Sequence, residues 1–358
     1  MRAREILTEA AKVGREYQHL EDLVFAEGSS GAVRAAQILQ RLGQDTSDVA
    51  IKWDGNPTIY WGRDGDGSFV LTGKNGWGKN KSTSSDDLKN FIMSTGKGEE
   101  WRADFANNMA AVFDIMERNT PTDMRGFVYG DLLYSPSKPF TTSDGNFVFE
   151  PNNVTYTING ASELGKRVGE SSIGIAAHSL YGSFGDKQGT PLKDTKRLNT
   201  KEVVVFGQTY VAHTPKIDTS EVAEILNEAK ANGQLIDAWL APEQGLSNKG
   251  AIVYNYVNQM TKQGKLDQLT TGFYDWLKTS KVSQGQQAKL MAGDTKGLDA
   301  ILSLVVKIMT VKNHIIDQLD AAPADVTATT KGQEGGEGYV AGRDKVKLVP
   351  RHRWTPNL

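Results

Sequence analysis

The sequence predicts an α+β fold of antiparallel sheets interrupted by a helical block, and three observations carry that expectation. β-rich runs alternate with helical periodicity over the first 212 residues. The pattern is almost wholly helical from Asp218 to Leu319, and strand-like runs return at the end. A helical block between strands of like character reads as an insertion into one domain. The expected parts are 1–217 for the N-terminal part, 218–320 for the insertion, and 321–358 for the strands that complete the domain.

Residues 1–42 carry two helical stretches, R-E-I-L-T-E-A-A-K-V and A-V-R-A-A-Q-I-L-Q-R-L, split by the loop A-E-G-S-S-G. His19, Glu21 and Asp22 between them read as a helix-start or loop cluster ahead of a catalytic or metal-binding one. A strand meander follows in V-A-I-K-W, P-T-I-Y-W-G and S-F-V-L-T, with R-D-G-D-G as a hairpin turn lacking the remaining ligands of a calcium loop. Two helices are expected next, one starting near Ser85 and one over A-D-F-A-N-N-M-A-A-V-F-D-I-M-E-R. Strands return in R-G-F-V-Y-G-D-L-L-Y, F-V-F-E, V-T-Y-T-I, S-I-G-I-A-A, E-V-V-V-F and T-Y-V-A-H. Asp218 is the N-cap candidate that opens the helical block. Its last helix is apolar on more than one face, so burial is expected there. D-A-A-P-A-D-V-T-A-T-T-K-G-Q-E-G-G reads as a flexible stretch, and E-G-Y-V-A-G and K-V-K-L-V-P as strands.

At 358 residues with 38% hydrophobic and 23% charged residues, the composition is that of an ordinary globular protein. Without an apolar run of bilayer length or a signal-peptide core, the expectation is a cytoplasmic protein that does not contact a membrane. The absence of cysteine excludes disulfides, thiolate metal sites and a cysteine nucleophile. A net charge of -2 leaves any nucleic-acid contact to local patches, of which Arg343, Lys345, Lys347, Arg351 and Arg353 form one. S-T-G-K-G-E-E lacks the first glycine and the Ser/Thr of a P-loop, and no dinucleotide fingerprint or serine elbow is present.

The chemistry is sought at Lys52, Asp54 and Gly55 in I-K-W-D-G, where a lysine leaves a strand just ahead of an acid and a glycine. A lysine becomes a nucleophile when its neutral amine is accessible, and glycine lets a ligand approach the backbone. This stretch resembles motif I of the covalent nucleotidyltransferases, the superfamily of ATP-dependent DNA and RNA ligases and mRNA capping enzymes. Further stretches resemble that family's motifs in their order. L-T-G-K-N-G offers Lys74 where arginine is common. F-V-Y-G-D-L-L-Y is similar to motif III with Asp131 in place of the usual glutamate, and S-I-G-I-A-A-H-S-L-Y stands where motif IIIa is expected. E-G-Y-V, with Glu337, resembles motif IV, and K-V-K-L-V, with Lys345 and Lys347, resembles motif V.

The resemblance implies a nucleotidyltransferase fold of the ATP-grasp-like ligase kind and a lysyl-AMP intermediate on Lys52. It implies ATP with Mg2+ or Mn2+, nucleotide contacts from Asp54, Gly55, Lys74, Asp131, His178, Glu337, Lys345 and Lys347, and metal contacts from Asp131 and Glu337. Tyr156, His178 or Tyr181 would lie against the base. Trp53, Trp61 and Trp77 are either stacking residues or, more simply, packing. Eleven residues follow Lys347, so the OB domain of DNA ligases and capping enzymes is not expected. This favours an RNA-ligase-like enzyme that seals a 5'-phosphate to a 3'-hydroxyl on RNA or nicked DNA. A minimal DNA ligase, a GTP-using guanylyltransferase and a lapsed nucleotide-binding scaffold remain open.

Overall fold

The computed structural model describes residues 17–354 except 97–99, 193 and 247. The helical stretch expected at residues 4–13 lies outside the described residues. The chain is mixed α and β, with several antiparallel sheets. Elements β1 (Gln18–His19), α1 (Leu23–Leu42), β2 (Val49–Ile51), β3 (Thr58–Arg63) and β4 (Phe69–Gly73) come first. Helices α2 (Ser85–Ser94) and α3 (Glu100–Asn119) lead to β5 (Gly126–Tyr134), β6 (Thr141–Ser143), β7 (Asn146–Phe149) and β8 (Val154–Ile158). Then come α4 (Glu163–Glu170), β9 (Ile173–Tyr181), β10 (Thr190–Pro191) and β11 (Val203–Phe206). The helical block comprises α5 (Thr219–Ala231), α6 (Gly233–Leu240), α7 (Lys249–Lys262), α8 (Phe273–Thr279), α9 (Gln284–Ala292) and α10 (Lys296–Asp320). Strands β12 (Val326–Thr330), β13 (Gln333–Glu334), β14 (Tyr339–Ala341) and β15 (Val346–Leu348) follow. None of the described helices is long and apolar enough to cross a membrane.

The chain forms two compact units. The first takes the described residues up to Ile51, then Tyr210–Ala322, and those from Gly338. Its sheet runs β1-β15-β14-β2, parallel only between β1 and β15. The helical block is therefore not a free-standing insertion: Ile225, Val257, Ile301 and Ile308 share one core with Leu39 of α1 and Val346 and Leu348 of β15. Helix α10 is buried on more than one side because every turn from Leu298 to Leu319 contributes to that core. The loop expected at A-E-G-S-S-G is instead a kink inside α1 at Gly28, where Asp237 accepts hydrogen bonds from Ser29 N (2.8 Å) and Ser29 Oγ (2.7 Å) and so caps the second segment.

The same unit absorbs the charges on which local nucleic-acid binding was expected to rest. Lys312 Nζ lies 2.9 Å from both Glu21 oxygens, with both side chains fully buried. Arg351 reaches Glu21 and Asp22 at 2.9 and 2.6 Å, and Arg353 reaches Asp317 and Asp320 at 2.9 and 2.5 Å. Arg343 pairs with Asp45 at 2.9 Å. Three cations of the C-terminal basic cluster are thus spent within the fold, and Glu21 and Asp22 are counter-ions in it. T-Y-V-A-H forms only an isolated bridge, Tyr210 with Ala50, because the His213 carbonyl accepts from the Thr46 hydroxyl (2.9 Å) and leaves the ladder.

The second unit comprises Lys52–Thr209 and Pro323–Glu337. One sheet runs β10-β9-β5-β3-β4, with β11 parallel to β9. Alternation along β3 sends Ile59 and Trp61 to an apolar face, covered by Leu88 and Ile92 of α2 and Met109 and Phe113 of α3. Thr58 and Tyr60 therefore face the other way. A second sheet, β13-β12-β8-β7-β6, is antiparallel throughout. The stretch read as flexible supplies β12, since V-T-A-T-T is β-branched and pairs along the whole of β8.

Candidate active site

The polar face of the first sheet in the second unit carries Asp131 and His178 of the predicted site residues. Register alone aligns Thr58 with Asp131 and Tyr60 with Tyr129. A bulge between β5 and β9 falls at Tyr129/Gly130, opposite Ser179 and Ala177, and leaves His178 as the extra residue. Such a bulge re-aims a side chain. His178 Nε2 lies 2.9 Å from Asp131 Oδ2, and Thr58 Oγ1 donates to Asp131 Oδ1 at 2.6 Å.

The K-W-D-G stretch runs beside the end of β5. Asn56 N donates to the Leu132 carbonyl at 2.9 Å, and Leu132 N to the Pro57 carbonyl at 3.0 Å. Gly55 is required by this close passage: a Cβ there would sit 2.4 Å from the Leu132 carbonyl oxygen. Trp53 is almost fully buried, its ring 4.8 Å from Tyr156 and 4.9 Å from Phe206. It anchors the stretch between the charged residues on either side. Lys52 Nζ is ion-paired with Glu337, both side chains about one-fifth exposed. The Asp54 carboxylate accepts from Asn152 Nδ2, and its backbone N–H donates to the Tyr156 hydroxyl at 2.8 Å.

These contacts produce a dense negative field with one cation in it. Burial raises Asp54 above the ordinary carboxylate range, with Lys52 opposing the rise and Asp131 reinforcing it. Burial also raises the Tyr156 hydroxyl against the hydrogen bond from Asp54, and the charges of Glu337, Asp54 and Asp131 add to the rise. Tyr129 is pushed up to about 12 by burial, then by Asp131. The charges of Asp54, Asp131 and Glu337 thus converge on the Tyr156 hydroxyl, while Lys52 acts on Asp54.

Asp131 and Glu337 were expected to hold a divalent metal. Among the described residues no group of three or more His, Asp or Glu side chains is disposed to bind one unaided. Asp131 is already engaged by Thr58 and His178, and Glu337 by Lys52. The donor set fits a Mg2+ or Mn2+ ion that carries substrate phosphates and water, since such ions use only one or two carboxylates.

Other expected residues lie elsewhere. Lys74 is exposed in the turn after β4. Lys345 and Lys347 belong to the first unit, Lys345 exposed in the β14–β15 turn and Lys347 paired with His19 and Val340 on β15. Trp61 is core, while Trp77 stacks on Tyr60 with centroids 4.1 Å apart and planes 10° from parallel. Tyr181 meets both rings edge-on. The sequence reading missed Asn152, Thr58 and Tyr129. Alternation on β3 and β5 would have put Thr58 and Tyr129 on the face of Asp131, but Asn152 in P-N-N carries no such signal.

A family described as "Family of unknown function (DUF6267)" matches residues 16–357. The searches of curated proteins and of solved structures returned no match.

Proposed function

The chain belongs to the family of unknown function DUF6267, and from that premise we propose that it is an ATP-dependent polynucleotide ligase, RNA-ligase-like, acting through lysyl-AMP on Lys52. The reading includes a nucleotidyltransferase fold for the second unit. One observation carries it: Lys52, Asp54, Asp131, Tyr156, His178 and Glu337, distant in sequence, converge within the second unit through hydrogen bonds, an ion pair and their mutual charges.

The chemistry follows from those groups. Lys52 Nζ must shed a proton before it attacks, and Glu337, already in contact, is the acceptor at hand. Nζ then bonds the α-phosphorus of ATP while the α–β bridging P–O bond breaks and pyrophosphate leaves. Asp131 and Glu337 would hold a divalent cation, which would supply charge neutralisation for the phosphates. His178 orients Asp131, and Asn152 and Tyr156 fix Asp54 and the backbone around it. A 5'-phosphate oxygen next takes the AMP as the P–N bond breaks. A 3'-hydroxyl then displaces AMP and seals the strand.

Intact-mass analysis after incubation with ATP or GTP and Mg2+ or Mn2+ tests the reading. An AMP adduct on the wild type, absent from Lys52→Ala, is expected. A GMP adduct would indicate the guanylyltransferase alternative, and an unmodified wild type with either nucleotide would overturn covalent transfer.

A further inference from the structure

Two loops of the second unit, residues 74–81 after β4 and 182–188 after β9, meet over the aromatic residues of the sheet. A Cβ on Gly185 would lie 2.8 Å from the Gly78 Cα, and both glycines have positive φ (71° and 86°), so only glycines allow this approach. Trp77 Nε1 locks it by donating to the Asp186 carbonyl at 3.0 Å. Beneath the clasp the Trp77 ring lies on Tyr60 and 5.0 Å from Phe184. The clasp is internally hydrogen-bonded, with Lys79 N to the Gly76 carbonyl at 2.8 Å and Asn80 N to the same oxygen at 2.7 Å.

Four lysines rise from these loops: Lys74, Lys79, Lys81 and Lys187, all exposed. Lys81 is paired with Asp64. Among the described residues neither Lys79 nor Lys187 forms an ion pair, although one adjoins Gly78 and the other adjoins Asp186. The Asp186 carboxylate is turned into its own loop, accepting from Ser183 N at 2.8 Å. The outward charge of the clasp is therefore positive on a chain whose net charge is -2.

We propose that this clasp docks the sugar-phosphate backbone of a single nucleic-acid strand, with Lys79 and Lys187 on its phosphates. The proposal rests on the polynucleotide reading of Lys52, whose substrate it would hold. Charge complementarity identifies the occupant as a polyanion, and the pinned loops present the two lysines without a backbone-ordering cost on binding.

The test is fluorescence anisotropy of labelled 20-mer oligo(U) and oligo(dT) with the full chain over a salt series. The double variant Lys79→Glu/Lys187→Glu should bind about tenfold or more weakly at low salt, and its dependence of log affinity on log salt should flatten by about 1.4, roughly 0.7 per lost phosphate contact. Thermal melting and AMP labelling of Lys52 should be unchanged. Lys79→Gln/Lys187→Gln should shift binding in the same direction by less, which covers failure of the charge reversal to fold. Lysine-dependent binding without any AMP adduct would retain the docking surface and remove the ligase chemistry. Wild-type affinity and slope in both variants, or no binding of either oligonucleotide by the wild type, would overturn the proposal.

Discussion

Asp54 is ionisable, mostly buried and close to another acid, so its charged form is costly. Its folded value is raised, which means the stability it contributes is complete below the ordinary aspartate range and declines as pH rises through the raised value. Asp54→Asn should therefore gain melting temperature relative to wild type as pH increases across that window, as read by differential scanning fluorimetry. Equal pH profiles for the two proteins would refute it. Gly55→Ala puts a methyl group against the Leu132 carbonyl. Overpacking of this kind costs about 1–3 kcal/mol, so a lower urea midpoint is expected with loss of Lys52 labelling. At this scale Lys52, Asp54, Asp131 and Glu337 could be picked out as charged residues beside glycine in short stretches, and the structure brings them together. Asn152 could not, because its role exists only where β7, β8 and the K-W-D-G stretch come together.

At the scale of elements, α10 shows how a helix can be set by one buried cation. Burial pushes Glu21 up, but Lys312 and Arg351 outweigh it and leave Glu21 at about 2. The stability tied to Glu21 is thus present above the ordinary glutamate range and is lost as pH falls toward about 2. Glu21→Gln should flatten that acid limb in equilibrium unfolding. Lys312→Met removes one partner from a fully buried pair, which costs about 3–5 kcal/mol, and the urea midpoint should fall accordingly. Helix α10 was legible from its continuous apolar periodicity. The pair inside it was not, since nothing in a sequence says which lysine faces inward to an acid 291 positions away. Strand β12 escaped for the opposite reason: proline, glycine and acidic flanks look like a linker, while the partner strand β8 that decides the matter is remote.

At the scale of the molecule, the chain passes between the two units at 51/52, 209/210, 322/323 and 337/338. Sequence periodicity could separate strand-rich from helix-rich stretches, but it assigned the helices to an insertion, because membership of a core is decided by long-range contacts. Removal of residues 323–358 would take β12 from β8 and both β14 and β15 from the first sheet. Such a truncation should give no cooperative melt by circular dichroism for either unit, whereas a helical insertion into an otherwise complete domain would leave one transition.

The late position of β12, β14 and β15 also sets an order on biosynthesis. A ribosome delivers β1, β2 and β8 long before their partners, which enter from residue 326 onward. Until residue 326 is made β8 has one edge open, and until residue 339 is made β2 lacks β14. Pulse proteolysis of stalled nascent chains should find both units protease-sensitive until β12, β14 and β15 clear the exit tunnel, and both should then become resistant within one short interval of elongation.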